Sequence, residues 1–349
     1  MLTAKENFRE CVRGGNPDRY VNQYEALQLM FNPYTLRSNC LLSPGQMNVV
    51  NAWGVTNSFP VGTPGSFPVH TPDKIVVKDI ENWREYVKAP DLSEIPEEEW
   101  LQSKALYDSV DDKKAFRPVF VNPGLFEQTH HLCSIGEALC NYITNPVEMH
   151  DLISYIKDWE LELAEKICTY LKPDSIFHHD DWGTEDNSFL SPSMFADYFE
   201  EPYKEIYGYY HDHGVEFVIH HSDSYAANLV PSMIEMGIDV WQGCMYKNNI
   251  PELVEKYGGK ISFMGNIDNK FVDFDGWTKE DCEKAAKDAL DACGTKYYIP
   301  CISQGGPGSV YSGTYRALID AIDQLNIEKF GCTKEELEEA RLPLQILFG

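Results

Sequence analysis

Two stretches of this sequence concentrate the residue types that bind metals and move protons: His178-His179-Asp180-Asp181-Trp182-Gly183-Thr184-Glu185 and His220-His221-Ser222-Asp223. A third, Cys301-Ile302-Ser303-Gln304-Gly305-Gly306, adds a thiol. Imidazole nitrogen, thiolate sulfur and carboxylate oxygen are the donors that zinc accepts, so such stretches brought together would make a divalent metal centre. Each residue also has a plainer reading. His178, His179 and His220 would serve as hydrogen-bonded core residues, and His130 and His131 as solvated loop residues. Asp180 and Asp181 would cap backbone amides of the following turn. Glu200 and Glu201 would be solvated residues ahead of Pro202, where a helix is expected to break.

Something must bring these stretches to one place, and the surrounding pattern says what. Short apolar runs at 20–24, 48–53, 117–122, 175–180, 216–221, 237–242, 261–266 and 297–302 alternate with amphipathic helical stretches. That alternation is the mark of βα units around a parallel sheet. Across 146–171, Met149, Leu152, Ile153, Ile156, Trp159 and Leu163 recur at helical spacing. Ser191-Pro192 reads as a helix start, a serine cap with proline at the first helical position. Eight strands, each followed by a helix, predict one (β/α)8 barrel spanning 1–349, with its site at the carboxyl ends of the strands. The stretch 55–116 is too long for a plain loop; with Pro60, Pro64, Pro68, Pro72 and an acidic run over 91–99 it predicts a rim or lid outside the barrel wall.

Composition narrows the class. The 55 acids against 29 bases leave a net charge of −26, which disfavours nucleic acid and anionic lipid as partners. No apolar run approaches the about 18 residues of a membrane helix, and the opening Met1-Leu-Thr-Ala-Lys-Glu does not read as a signal peptide, so a cytoplasmic location is expected. The 10 cysteines include no CxxC pair and read as reduced thiols, most of them packed as small hydrophobes. Only Cys301 sits where chemistry would use it.

Five segments together resemble the uroporphyrinogen-decarboxylase superfamily over about residues 15–325: Asn51-Ala-Trp-Gly-Val-Thr, Gly124-Leu-Phe-Glu, Asp180-Asp-Trp-Gly-Thr, Ser191-Pro-Ser-Met-Phe and Gly265-Asn-Ile-Asp. The superfamily implies a barrel, and its members include the decarboxylase and cobamide-dependent methyltransferases. The decarboxylase grips a polycarboxylate with an arginine pair, but here the comparable stretch reads Tyr20-Val-Asn-Gln-Tyr-Glu, without arginine. The methanol- and thiol-linked methyltransferases use a His-x-Cys pair, which His221-Ser222-Asp223 lacks. The phenyl-methyl-ether O-demethylase methyltransferases of the vanillate and veratrol type have a Glu-x14-Glu-x20-His zinc pattern, and Glu185, Glu200 and His221 match its spacing.

This resemblance implies zinc on Glu185, Glu200 and His221, with Asp181 the natural replacement if Glu200 cannot reach. It further implies a methoxylated aromatic substrate and a corrinoid carried by a partner protein, as part of anaerobic one-carbon metabolism. Two carboxylate ligands would leave the zinc site neutral and a weak Lewis acid; Asp181 and Asp223 are candidate outer groups. Phe126 and Trp182 are expected to wall the aromatic ring. Cys301 is expected not to be a ligand. Two alternatives stay open here: another reaction of the superfamily (a different methyl donor, or decarboxylation), and a metal-free binding or regulatory barrel.

Overall fold

The computed structural model of the chain describes residues 1–63, 65–303 and 310–343; Pro64, Gln304, Gly305 and Gly306 of the sequence reading lie outside them. Runs rich in β-branched and aromatic residues form the strands, as such side chains suit a pleated, half-buried surface. In chain order these are β1 (Met30–Phe31), β2 (Val49–Val50), β3 (Thr56–Ser58), β4 (Phe67–Pro68), β5 (Pro118–Val121), β6 (Ser175–His179), β7 (Phe217–His221), β8 (Val240–Cys244), β9 (Ser262–Ile267) and β10 (Tyr298–Ile302). Seven of them form one parallel sheet in the order β1-β5-β6-β7-β8-β9-β10, with helices between successive strands from β5 onward. The fold is α/β, of the TIM-barrel type.

Six of the eight expected runs fall on strands of this sheet, and the first two do not. Residues 20–24 satisfy their polar groups elsewhere: Tyr20 N–H donates to Asn326 Oδ1, and Asn22 Nδ2 donates to Ile319 O and Asp323 Oδ1. Those acceptors sit on the helix Thr314–Phe330, and Gln23 has a left-handed φ of 49°, so no ladder forms there. Residues 23–31 instead stand between β10 and β5. Gln23 Oε1 accepts from Ile302 N–H of β10, while Leu27 and β1 pair in parallel with Phe116 and β5.

The run at 48–53 also leaves the barrel. Asn51 Oδ1 accepts from the amides of Trp53 and Val55, which turns the chain after two strand residues. Val49–Val50 then pairs antiparallel with β3, and β3 with β4, as a separate three-stranded sheet. The rim sheet therefore starts at Val49, earlier than the expected 55. Among the described residues of 55–116 there is no strand of the barrel sheet.

The helix expected over 146–171 is Pro146–Tyr170, and Met149, Leu152, Ile153, Ile156, Trp159 and Leu163 are all buried. Ser191 caps the next helix through Oγ and Met194 N–H. The expected break at Pro202 does not occur. A π-helical turn over Ala196–Glu200 precedes the helix Glu201–Asp212, and proline there occupies a first-turn position whose missing N–H costs little. Buried apolar residues from Ala4 to Ile322 form one connected core. Among the described residues no helix is long and apolar enough to cross a membrane.

Candidate metal centre

Strand alternation divides each histidine pair between two sides of the sheet. His178 and His220, in register on β6 and β7, face the helices. His178 Nε2 meets Glu160 Oε1 at 2.7 Å, and the Tyr207 hydroxyl bridges His178 Nδ1 and His220 Nδ1 at 3.0 and 2.8 Å. Those two histidines are structural, as their plainer reading holds. His179 and His221, one residue on and again in register, stack with ring centroids 4.6 Å apart at the strand ends.

Asp181 faces this second pair. Its Oδ2 lies 4.0 Å from His179 Nε2 and its Oδ1 3.9 Å from His221 Nε2. These gaps are too long for hydrogen bonds. They are slightly wider than the about 3.4 Å that separates two ligands across an ion held at ~2.0–2.1 Å. One ligand atom from each of His179, Asp181 and His221 lies within 4.8 Å of the others, so the three can converge on one cation. Asp181 Oδ1 is itself held by Asp223 N–H at 2.9 Å.

Both imidazoles are tied back through their other nitrogen. His179 Nδ1–H donates to Glu127 Oε2 at 2.8 Å, and His221 Nδ1–H donates to Gln242 Oε1. This is the arrangement that orients a metal-binding histidine and presents Nε2 to the ion. Gln242 reaches His221 as its register partner on β8, and β8 then carries a bulge toward β9 at Gly243, whose φ is 87°. A Cβ on Gly243 would lie 3.1 Å from His221 Cε1, so the close approach needs glycine.

The electrostatics suit a cation. Burial alone would lower the His179 pKa, but the carboxylates of Glu127, Asp181 and Asp223 outweigh it and raise it to about 10. A field that favours a proton on this imidazole favours a cation beside it. Burial, reinforced by the positive charge on His179, lowers His221 to about 4. Burial and the neighbouring carboxylates of Asp181 and Glu127 raise Asp223 well above the usual range.

Asp180, next to the cluster, is fully buried and builds its scaffold. Its carboxylate accepts from Phe126 N–H at 3.0 Å, Glu127 N–H at 2.7 Å, Trp182 Nε1–H at 2.8 Å and the Tyr203 hydroxyl. It therefore caps the helix Leu125–Cys133, which carries Glu127, rather than the turn that follows it. Gly124 permits the contact, since a Cβ there would come within 2.3 Å of Asp180 Cβ. Burial and the charge of Glu127 still push the Asp180 carboxyl up to about 7.

The expected Glu185, Glu200 and His221 trio is not brought together. Glu185 is exposed near the tip of a turn closed by the Gly183–Ser188 bridge and the Thr184 N–H to Asn187 O bond. Its carboxylate faces Lys247 at 3.7 Å. Glu200 ends the π-helical turn and, like Glu185, belongs to neither metal-capable group among the described residues. Asp181, the expected replacement, stands beside His221, and His179 is the ligand candidate that spacing alone missed. The in-register His-His ends of two adjacent runs were the signal for it.

Phe126 and Trp182 are each 1% exposed and so do not wall an open pocket. Phe126 packs on Tyr142, Phe189 and Phe199, and Trp182 stacks on His220 at 4.0 Å. The rings beside the cluster are Phe120, 6.3 Å from His179, and Phe177, 6.0 Å from His221. His130 and His131 lie on the helix Leu125–Cys133 and not in a loop, and with Glu127 they form a second metal-capable group. Burial lowers His130 to about 4 and His131 well below the ordinary range. Cys301 is buried on β10, burial pushes its thiol up, and it belongs to neither group. Cys301→Ser is therefore expected to keep any bound metal through dialysis; loss of metal from a folded variant would make the thiol a ligand.

Residues 135–325 match the sequence profile of the uroporphyrinogen decarboxylase (URO-D) family. No curated protein matches the sequence. A solved methyltransferase from Methanosarcina mazei superposes with a TM-score of 0.65 at 14% identity, covering 93% of this chain and 99% of that one. At that identity the likeness is one of fold. An endo-beta-1,4-mannanase double mutant of Cellulomonas fimi, 14% identical, covers 97% of this chain and 78% of its own; its TM-score of 0.42 is too low to support any conclusion.

Proposed function

The chain belongs to the uroporphyrinogen decarboxylase family, and from that premise we propose that it is a zinc-dependent methyltransferase acting on an aryl methyl ether. The methyl acceptor in this reading is the Co(I) of a corrinoid carried by a separate protein. The observation that carries the proposal is the convergence of His179, Asp181 and His221 at the strand ends, with both Nδ1 atoms tied back. The fold shared with the Methanosarcina mazei methyltransferase supports it. Decarboxylation of a polycarboxylate fits less well. Arg19, beside the arginine-free stretch 20–24, is fully buried and ion-paired to Asp18.

The donor set answers the weakness of the Glu-Glu-His expectation. Two neutral imidazoles and one carboxylate would leave a divalent ion with a net positive charge, whereas two carboxylates would cancel it. A zinc ion held by His179, Asp181 and His221 would supply a Lewis acid against the negative charge that builds on the aryl oxygen as its methyl departs. The aryl oxygen keeps the electron pair of the broken C–O bond, and the methyl carbon passes to the reduced acceptor. Glu127 and Gln242 hold the imidazoles in one orientation, so that geometry is set before substrate arrives. Phe120, half-buried beside His179, offers an aromatic face against which the substrate ring can pack.

The test combines metal analysis of the purified chain with methyl transfer from a panel of methoxylated arenes to a reduced corrinoid protein. Zinc together with transfer from at least one arene is expected. A chain that binds iron instead, or that demethylates only non-aromatic donors, would overturn the reading. Gln242→Ala should weaken zinc binding about 10–100-fold, because it frees the His221 ring to turn. An unchanged affinity on competitive chelator titration would mean that Gln242 does not orient that ring.

A further inference from the structure

Glu127, His130 and His131 lie one helical turn apart on the helix Leu125–Cys133. Positions i, i+3 and i+4 share one helix face, the spacing that lets a carboxylate and two imidazoles meet. One ligand atom from each indeed lies within 4.8 Å of the other two. The imidazole planes are nearly perpendicular, at 88°, with centroids 4.7 Å apart, so their nitrogens need not compete for one direction. Neither ring is hydrogen-bonded to another side chain among the described residues, and both residues are only half-buried. Glu127 gives Oε2 to His179, while its Oε1 has no hydrogen-bond partner among the described residues. From the rim, His70 Nε2–H donates to His131 O at 3.1 Å and ties the end of this helix to the segment beyond β4.

We propose that Glu127, His130 and His131 form a second divalent-cation site beside the first, suited to a nitrogen-preferring ion such as zinc. The site does not depend on the methyl-transfer reading. Glu127 connects the two: one of its oxygens would face the second ion, and the other holds the Nδ1 of His179. Filling one site therefore alters the ligand field of the other, and the coupling is reciprocal.

The experiment is zinc stoichiometry on the full chain, stripped with chelator, reloaded with Zn2+ and desalted, with thermal unfolding by circular dichroism as the fold control. Wild type is expected to hold two zinc ions per chain, and H130Q, H131Q and H221Q one each. The double variant H131Q/H221Q should hold none. Glutamine is chosen because it keeps the helix and approximates the imidazole's volume. Wild type with a single ion, lost in H221Q and kept in H130Q and H131Q, would overturn the second site and leave the first standing. Two ions retained in both H130Q and H131Q, or both ions lost together in either, would equally overturn it. Wild type that binds no zinc would remove both sites.

Discussion

His179→Ala is expected to lose the zinc held with Asp181 and His221, and its methyl transfer, while remaining folded. The imidazole stands at the end of β6, stacked on His221, and supplies one of three groups that converge within 4.8 Å. Removing an orienting partner costs about 10–100-fold in affinity, so removing a ligand itself should cost more than about a hundredfold. The fold should survive because the side chain is at the rim of the barrel, and the nearby core is closed by Phe177, His178 and the helices behind them. Glu185→Ala is the matched control. That carboxylate is exposed and paired with Lys247, so its loss should change stability by no more than about 0.5 kcal/mol. Metal content after dialysis and turnover with a methoxyarene decide between them. Full zinc in His179→Ala, or zinc lost from Glu185→Ala, would refute the site as the structure places it.

Asp180→Ala should be the most destabilising single change near the site. The carboxylate is fully buried and accepts from two helix-start amides, an indole N–H and a tyrosine hydroxyl. Each buried donor left without an acceptor costs about 1–3 kcal/mol, and relaxation recovers part of the sum. A net loss of about 3–5 kcal/mol follows, or roughly 4–7 °C in Tm for a chain of 349 residues. The consequence reaches the metal site, because the helix Leu125–Cys133 that Asp180 caps carries Glu127, the partner of His179. Zinc affinity should therefore fall together with Tm. A variant that melts within a degree or two of wild type would show that the cap is not what anchors this helix.

Much of the barrel could be read from residue order. From 117 onward the runs of β-branched and aromatic residues became strands, because a strand buried on both faces needs only local apolarity to be recognised. Long helices such as Pro146–Tyr170 were equally legible, since their apolar spacing and start signals are local. The first two runs were not. Tyr20 and Asn22 bond to a helix about 300 positions away, and Asn51 folds its own chain into a turn, so local apolarity gave the wrong partner in both cases.

The sequence by itself determined that histidines and carboxylates gather at the ends of β6 and β7, and that the fold is α/β. Only the tertiary structure decided which residues of each run face the mouth. A period of two guarantees that His178 and His179 point to opposite sides, but the side holding the helices depends on Glu160 and Tyr207 arriving from distant segments. Spacing likewise misplaced Glu185 and Glu200, because a count along the chain does not measure distance once a bridged turn and a π-helical turn intervene. Asp181 stands opposite the two imidazoles because the adjacent loop offers Asp223 N–H to hold its carboxylate. Glu127 and Gln242 come from one helix and a different strand, and nothing in the local sequence marks them as partners of His179 and His221. Metal-binding geometry is a property of side chains that converge from separate elements, so residue type was legible and convergence was not.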